Sequence, residues 1–189
     1  MGNSNGRVIV PENEFTISAT MLKEMGVKVV VFSFEDVILR NTDSDWSYKY
    51  TIPFYTDDER EKLAHSLSER SSQDAMKFIV SLLVQGVGVV VNANNTSKNN
   101  GNEENGMYVY GGVPLVSHVL THYLGEEVTR LIHFSQFKNW KNVFKKVRKS
   151  VETPNNVFLI HDDPKWVKNA RNNGCLSMLV KDHRIGFRL

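Results

Sequence analysis

Cysteine occurs once in the chain, at Cys175. That excludes an internal disulfide framework and fits a reducing compartment. No apolar run approaches the ~20 residues of a membrane-spanning helix. The opening stretch MGNSNGRVIV has no apolar core of the kind a signal peptide needs. It does begin Met-Gly-Asn, but Gly6 stands where the myristoylation pattern takes Ser or Thr. Charge of one sign is not in excess either. The 23 basic and 21 acidic residues leave +2, so no strong field points to nucleic acid or to a membrane surface. A cytoplasmic location is expected, and there the Asn94 and Asn95 sequons would carry no glycan.

What is present is a core and a rhythm. The length of 189 residues fits one domain, and an apolar fraction of 41% is enough to build a real interior. Residues 1–15 read as a flexible N-terminus and 16–189 as a single α/β domain. A short helix is expected to end at Gly26, followed by a valine-rich buried strand over 27–32. Residues 41–56 read as a loop or flap. Helices are expected from Asp57 and Asp58 to about Arg70 and again after Ser72, with a second strand over 87–91. The Asn-rich stretch 92–105 reads as a mobile loop, because nothing in it can bury surface. Further on come a helix over 113–124, a strand over 131–134 and a helix with Phe137, Trp140, Phe144, Val147 and Val151 on one face. A strand over 156–160, a helix opened by Pro164 and a fifth strand over 176–180 complete the series. Strands alternating with helices at this spacing predict a three-layer, doubly wound α/β fold with a mostly parallel five-stranded sheet and little or no cap. Ligands in such folds bind at the carboxyl ends of the strands, where the strand order reverses.

Three of those strand ends carry polar groups. The stretch VVVFSFEDVILR places Ser33 and Glu35 at the end of the first strand. Side chains in a strand alternate, so these two are expected to point to one side and Phe34 to the other. Asn92 follows the second strand. In NNVFLIHDDPKWVKNARNNG, His161, Asp162 and Asp163 separate a strand from a helix. Between them, FKNWKNVFKK offers Lys138 or Lys141 at a helix start.

This series resembles the haloacid dehalogenase (HAD) superfamily, and within it small, minimally capped, magnesium-dependent phosphatases. The resemblance covers about residues 22–181. In that family the first strand ends in two aspartates spaced by one residue. The first is the nucleophile that becomes an aspartyl phosphate, and the second is a general acid and base. The resemblance puts Ser33 and Glu35 at those positions, Asn92 and Lys138 at the phosphate-binding positions, and Asp162 and Asp163 at the metal-binding position. It also implies magnesium, held weakly here because the carboxylate at position 33 is gone. A serine hydroxyl needs a base to activate it. Glu35 keeps an acid but adds a methylene, and a displacement near 1 Å can cost about a hundredfold in rate. The expectation is therefore a domain that has lost phosphotransfer and binds a small phosphorylated ligand or a protein partner. An active magnesium-dependent phosphatase with an unusual site is the alternative.

Bland readings stand beside these. Acids ahead of Pro164 also cap a helix, at the positive end of its dipole. His161 reads as structural, and Cys175 as a core residue. The stretch 138–149 holds Lys138, Lys141, Lys145, Lys146, Arg148 and Lys149 and no acid. It could contact nucleic acid, but it reads more simply as the solvated face of a helix whose aromatic side packs inward.

Overall fold

The computed structural model describes residues 17–40, 51–52, 56–93, 100–104 and 107–180. Five strands form one sheet in which every pairing is parallel: β1 (Val29–Ser33), β3 (Gly88–Asn92), β6 (His133–Ser135), β7 (Val157–His161) and β8 (Leu176–Leu179), in the order β6-β3-β1-β7-β8. Three further strands, β2 (Thr51–Ile52), β4 (Asn100–Glu104) and β5 (Met107–Val109), form a small antiparallel sheet in the order β2-β5-β4. The stretch 92–105, whose composition suggests a mobile loop, includes strand residues. Asn92 closes β3, and residues 100–104 pair with β5. Residues 1–15, 41–50 and 94–99 lie outside the described residues, and with them most of the expected terminus, flap and loop.

The helices divide between the two faces of the main sheet, giving the three-layer Rossmann-like α/β fold. On one side lie α1 (Ala19–Glu24), α2 (Asp57–Glu69), α3 (Gln73–Val84) and α4 (Gly112–Leu124). Leu22, Leu67, Phe78, Ile79 and Val119 from these helices join Val30, Phe32, Val89, Val91, Phe158 and Ile160 in the larger core cluster. The short α5 (Glu126–Thr129) follows α4. On the other side α6 (Trp140–Val147) and α7 (Pro164–Asn172) supply Trp140, Val143, Val147, Trp166 and Ala170 to a second cluster with Val31, Val90 and Leu159. A sheet covered on both faces requires strands that are apolar throughout, which is why β1 reads VVVFS.

Local chemistry sets the boundaries. Thr56 and Glu59 form a reciprocal capping box at the start of α2, and the Ser72 hydroxyl accepts from Ala75 N at the start of α3. Gly26 and Gly86 have φ of 85° and 77°. At each, the next residue's N–H reaches five residues back, Val27 to Leu22 O and Val87 to Leu82 O, and the chain turns from helix into strand. Some expected boundaries move. The third strand is 133–135 rather than 131–134, and Leu131 is exposed. Helix α6 takes in Trp140, Phe144 and Val147 only, while Phe137 and Val151 pack on the same cluster from outside it.

The chain leaves β1 toward β3 and β6, then returns to add β7 and β8 on the opposite side. The order reverses between β1 and β7. Their carboxyl ends, Ser33 and His161, are therefore the place where a crevice is expected in a sheet of this kind.

Candidate functional site

Strand register builds the site before any side chain is considered. Ser33 pairs with Asn92, and Asn92 with Ser135. Phe32 pairs with Ile160, which brings His161 level with Ser33. Val31, Val90 and Leu159, two residues earlier on their strands, all belong to the α6/α7 cluster. By the two-residue pleat, Ser33, Asn92 and His161 share that face. His161, Ser33, Asn92 and Ser135 thus make a polar row across the carboxyl edge, and all four are buried.

Each member of the row has local work. The Ser33 hydroxyl donates to the Glu35 carbonyl at 2.9 Å, and Ser33 is only 2% exposed. Strand β1 ends at Ser33, so the alternation expected to carry through Phe34 and Glu35 stops there. Phe34 N still donates to Asn92 O at 2.9 Å. The chain then closes a turn in which Ile38 N and Leu39 N both donate to Phe34 O, at 3.2 and 2.8 Å. Asp36 takes φ of 59° inside it, a left-handed conformation that Asp tolerates better than most residues. Glu35 is buried in this turn, at 2% exposure, and bridges to Leu39.

Asn92 is fully committed on its acceptor side. Its Oδ1 accepts from Ser135 Oγ at 2.8 Å and from Phe137 N at 2.9 Å, and its Nδ2 donates to Phe137 O at 3.0 Å. This side chain holds the loop that leads from β6 into α6. Lys138 follows that loop and is exposed; Asn139 caps α6 through Asn142 N, and Lys141 lies in the first turn.

At the end of β7, Asp163 caps α7, its Oδ1 accepting from Lys165 N at 2.8 Å, with Pro164 in the first turn. His161 stacks on Trp166 with ring centroids 4.5 Å apart. Two partners compete for its Nδ1: Asp163 N donates to it at 3.0 Å, and Asp162 Oδ1 lies 3.1 Å away. A neutral ring that accepts from Asp163 N carries its proton on Nε2, and Nε2 is buried with no hydrogen-bond partner among the described residues. The structural reading of His161 agrees with this packing.

Both acids already have a partner. One oxygen of Asp163 serves the helix cap and one of Asp162 faces an imidazole. Among the described residues, no three His, Cys, Asp or Glu side chains come together as a metal cluster. Magnesium asks for near-ideal octahedral oxygens. No helix among the described residues is long and apolar enough to cross a membrane.

A second polar cluster was not anticipated from the sequence. It joins α2 to α4 through Glu61, His65, His118 and His122. The i,i+4 spacing of Glu61 with His65 and of His118 with His122 was the available signal.

No protein-family model and no curated protein matches the chain. Solved structures with a related chain course include the DsGPDH of Dunaliella salina, at 8% identity and a TM-score of 0.43, matching 84% of this chain and 24% of that one. They also include a predicted phosphoglycolate phosphatase from Haemophilus somnus 129PT, at 10% identity and 0.46, over 86% and 87% of the two chains. CbbY from Rhodobacter sphaeroides, in complex with phosphate, is similar at 9% identity and 0.46, over 82% and 87%.

Proposed function

We propose that this chain is a haloacid-dehalogenase-like domain that has lost phosphotransfer and serves as a binding or regulatory domain. The observation that carries the reading is the Ser33 hydroxyl, buried and donating to the Glu35 carbonyl, at the position that the sequence resemblance gives to the family's ionised nucleophile. A hydroxyl is not ionised at neutral pH and needs a neighbouring base before it can attack phosphorus. Two further observations support the same reading. The Asn92 amide is occupied by the β6–α6 loop, and the strand-end acids are spent on a helix cap and a histidine. A small phosphorylated molecule or a protein is the class of partner this edge would take.

The test is hydrolysis of a generic aryl phosphate with magnesium, by the wild-type chain and by the double variant Ser33→Asp, Glu35→Asp. The wild type gives no turnover above a buffer blank. The double variant gives partial turnover, because an ionised nucleophile returns and the acid retracts by one methylene. Each single variant gives less than the pair, since the two groups act as a unit. Robust wild-type hydrolysis, abolished by Ser33→Ala, would establish an active phosphatase instead.

A further inference from the structure

Charge is not spread evenly over the two faces of the main sheet. Between Lys138 and Cys175 stand nine Lys and Arg residues and three acids. Two of the acids are engaged within the chain, Asp162 beside the His161 ring and Asp163 in the α7 cap. Three of the cations are tethered to carbonyl groups, Lys146 to Phe134, Arg148 to Val151 and Arg171 to Ser177. The other six point outward. Lys138, Lys141, Lys145 and Lys149, in and around α6, and Lys165 and Lys168, in α7, are all exposed. None of the six is in an ion pair among the described residues.

The sequence alone gives one basic helix; packing makes it one surface with a second. Both α6 and α7 bury their other sides in the same cluster, and Trp140 Nε1 donates to Asn173 Oδ1 at 2.9 Å between them. In the opposite layer, α2 carries Asp57, Asp58, Glu59, Glu61 and Glu69 against Arg60 and Lys62. The net charge of +2 conceals this division. We propose that the α6/α7 face binds the phosphate backbone of a duplex nucleic acid, without reading its sequence.

The rest of the face decides which polyanion fits. A protein interface has an apolar centre and is poor in lysine. Here the exposed large apolar side chains among the described residues, Val84, Tyr123 and Leu131, all lie outside 138–175. An anionic membrane is held stably only when apolar groups are inserted beside the charges, and the same three positions leave this face without them. A single strand is held by bases stacked on aromatic rings. Trp140 and Trp166 are buried, and Phe137 and Phe144 pack against the core. A duplex asks only for cations and hydrogen-bond donors along its phosphates and sugars. Lysine supplies the first as point charges. The exposed amides of Asn142, Asn169 and Asn172 supply the second.

The experiment is fluorescence anisotropy of a labelled DNA duplex of about 20 base pairs, titrated with the full chain between about 50 and 200 mM salt. The wild type binds at micromolar concentration at the lower salt, with a log–log salt slope of about −4, as four or five lysines neutralise phosphates. Two duplexes of unrelated sequence bind alike. Lys145→Gln with Lys149→Gln, and Lys165→Gln with Lys168→Gln, each weaken binding about tenfold and flatten the slope by about 2. All four changes together abolish binding, and arginine at the same four positions retains it. Lys23→Gln with Lys77→Gln, exposed on the other layer, binds as the parent does. An absence of wild-type binding at about 50 mM salt would overturn the proposal. So would unchanged affinity in the four-residue variant. Tighter wild-type binding to the single strand, or to phosphatidylserine vesicles, than to the duplex would overturn it as well, and those readings need no variant to fold.

Discussion

Asn92 and Ser135 face each other in register at the ends of β3 and β6, and the Ser135 hydroxyl donates to Asn92 Oδ1 at 2.8 Å. With Phe137 bonded to the same side chain through both its N–H and its carbonyl, Asn92 holds the loop into α6. Asn92→Ala removes three bonds at a residue 1% exposed. The expected cost is about 2–3 kcal/mol, the usual penalty for leaving buried partners unpaired. Chemical denaturation measures it. Asn92→Thr, which installs the hydroxyl that the resembled family keeps there, should be destabilising too. A variant as stable as the parent would refute the tether.

The two acids before α7 should behave differently. Asp163 caps the helix, so Asp163→Ala should lose about 1 kcal/mol. Asp162 makes no cap, and Asp162→Ala should cost less. In calorimetric titration the wild-type chain should show no saturable magnesium binding below about millimolar, since position 33 supplies no carboxylate and Asp163 serves the helix cap. Micromolar binding that disappears in Asp162→Ala would reverse this.

Cys175 lies buried in the α6/α7 cluster, and burial pushes its thiol up to about 12. At pH 8 that leaves about one thiolate in ten thousand. Alkylation of the native chain at pH 8 should be orders of magnitude slower than in denaturant. Equal rates in the two states would show that the thiol is accessible and ionised.

The Tyr110 phenol is likewise raised to about 12, chiefly by burial, with Arg60 over its ring opposing the shift. An unfolded tyrosine ionises near pH 10. Between about pH 10 and 12 the folded state keeps a proton that the unfolded state releases, so this contribution to stability is full below the lower value and falls as pH rises. Denaturation midpoints measured across that window should fall less steeply in Tyr110→Phe than in the wild type. Identical slopes would remove Tyr110 from the account.

The layered fold was legible because β1, β3 and β7 are short apolar runs, the first two rich in valine, and because α1, α3, α4 and α7 are each followed by a glycine. Boundaries were harder where polarity misled. Asn92 looked like the residue after a strand, yet it is the last residue of one, since its amide finds partners in Ser135 and Phe137. Leu131 looked like a strand start and is exposed, while the inward position of β6 is Ser135. Ser33 and Glu35 were recognisable by position, but their relation was not. Alternation presumes that the strand continues, and here the chain turns at Phe34. The i,i+4 spacings marked two polar helix stripes, but His65 and His122 stand 57 residues apart, and nothing local says that the two stripes meet.

The place of β1 in the sheet has a consequence for synthesis. It is the first strand of the main sheet to leave the ribosome, it is central, and its neighbours arrive late. Val29 pairs with Gly88 on one side and with Val157 on the other. Until residues 157–161 have been made, one flank of an apolar VVVFS segment has no partner. An open hydrophobic edge of that kind is a template for pairing with other chains. Nascent chains stalled before Val157 should therefore depend on chaperones, and release from that dependence should coincide with the emergence of β7.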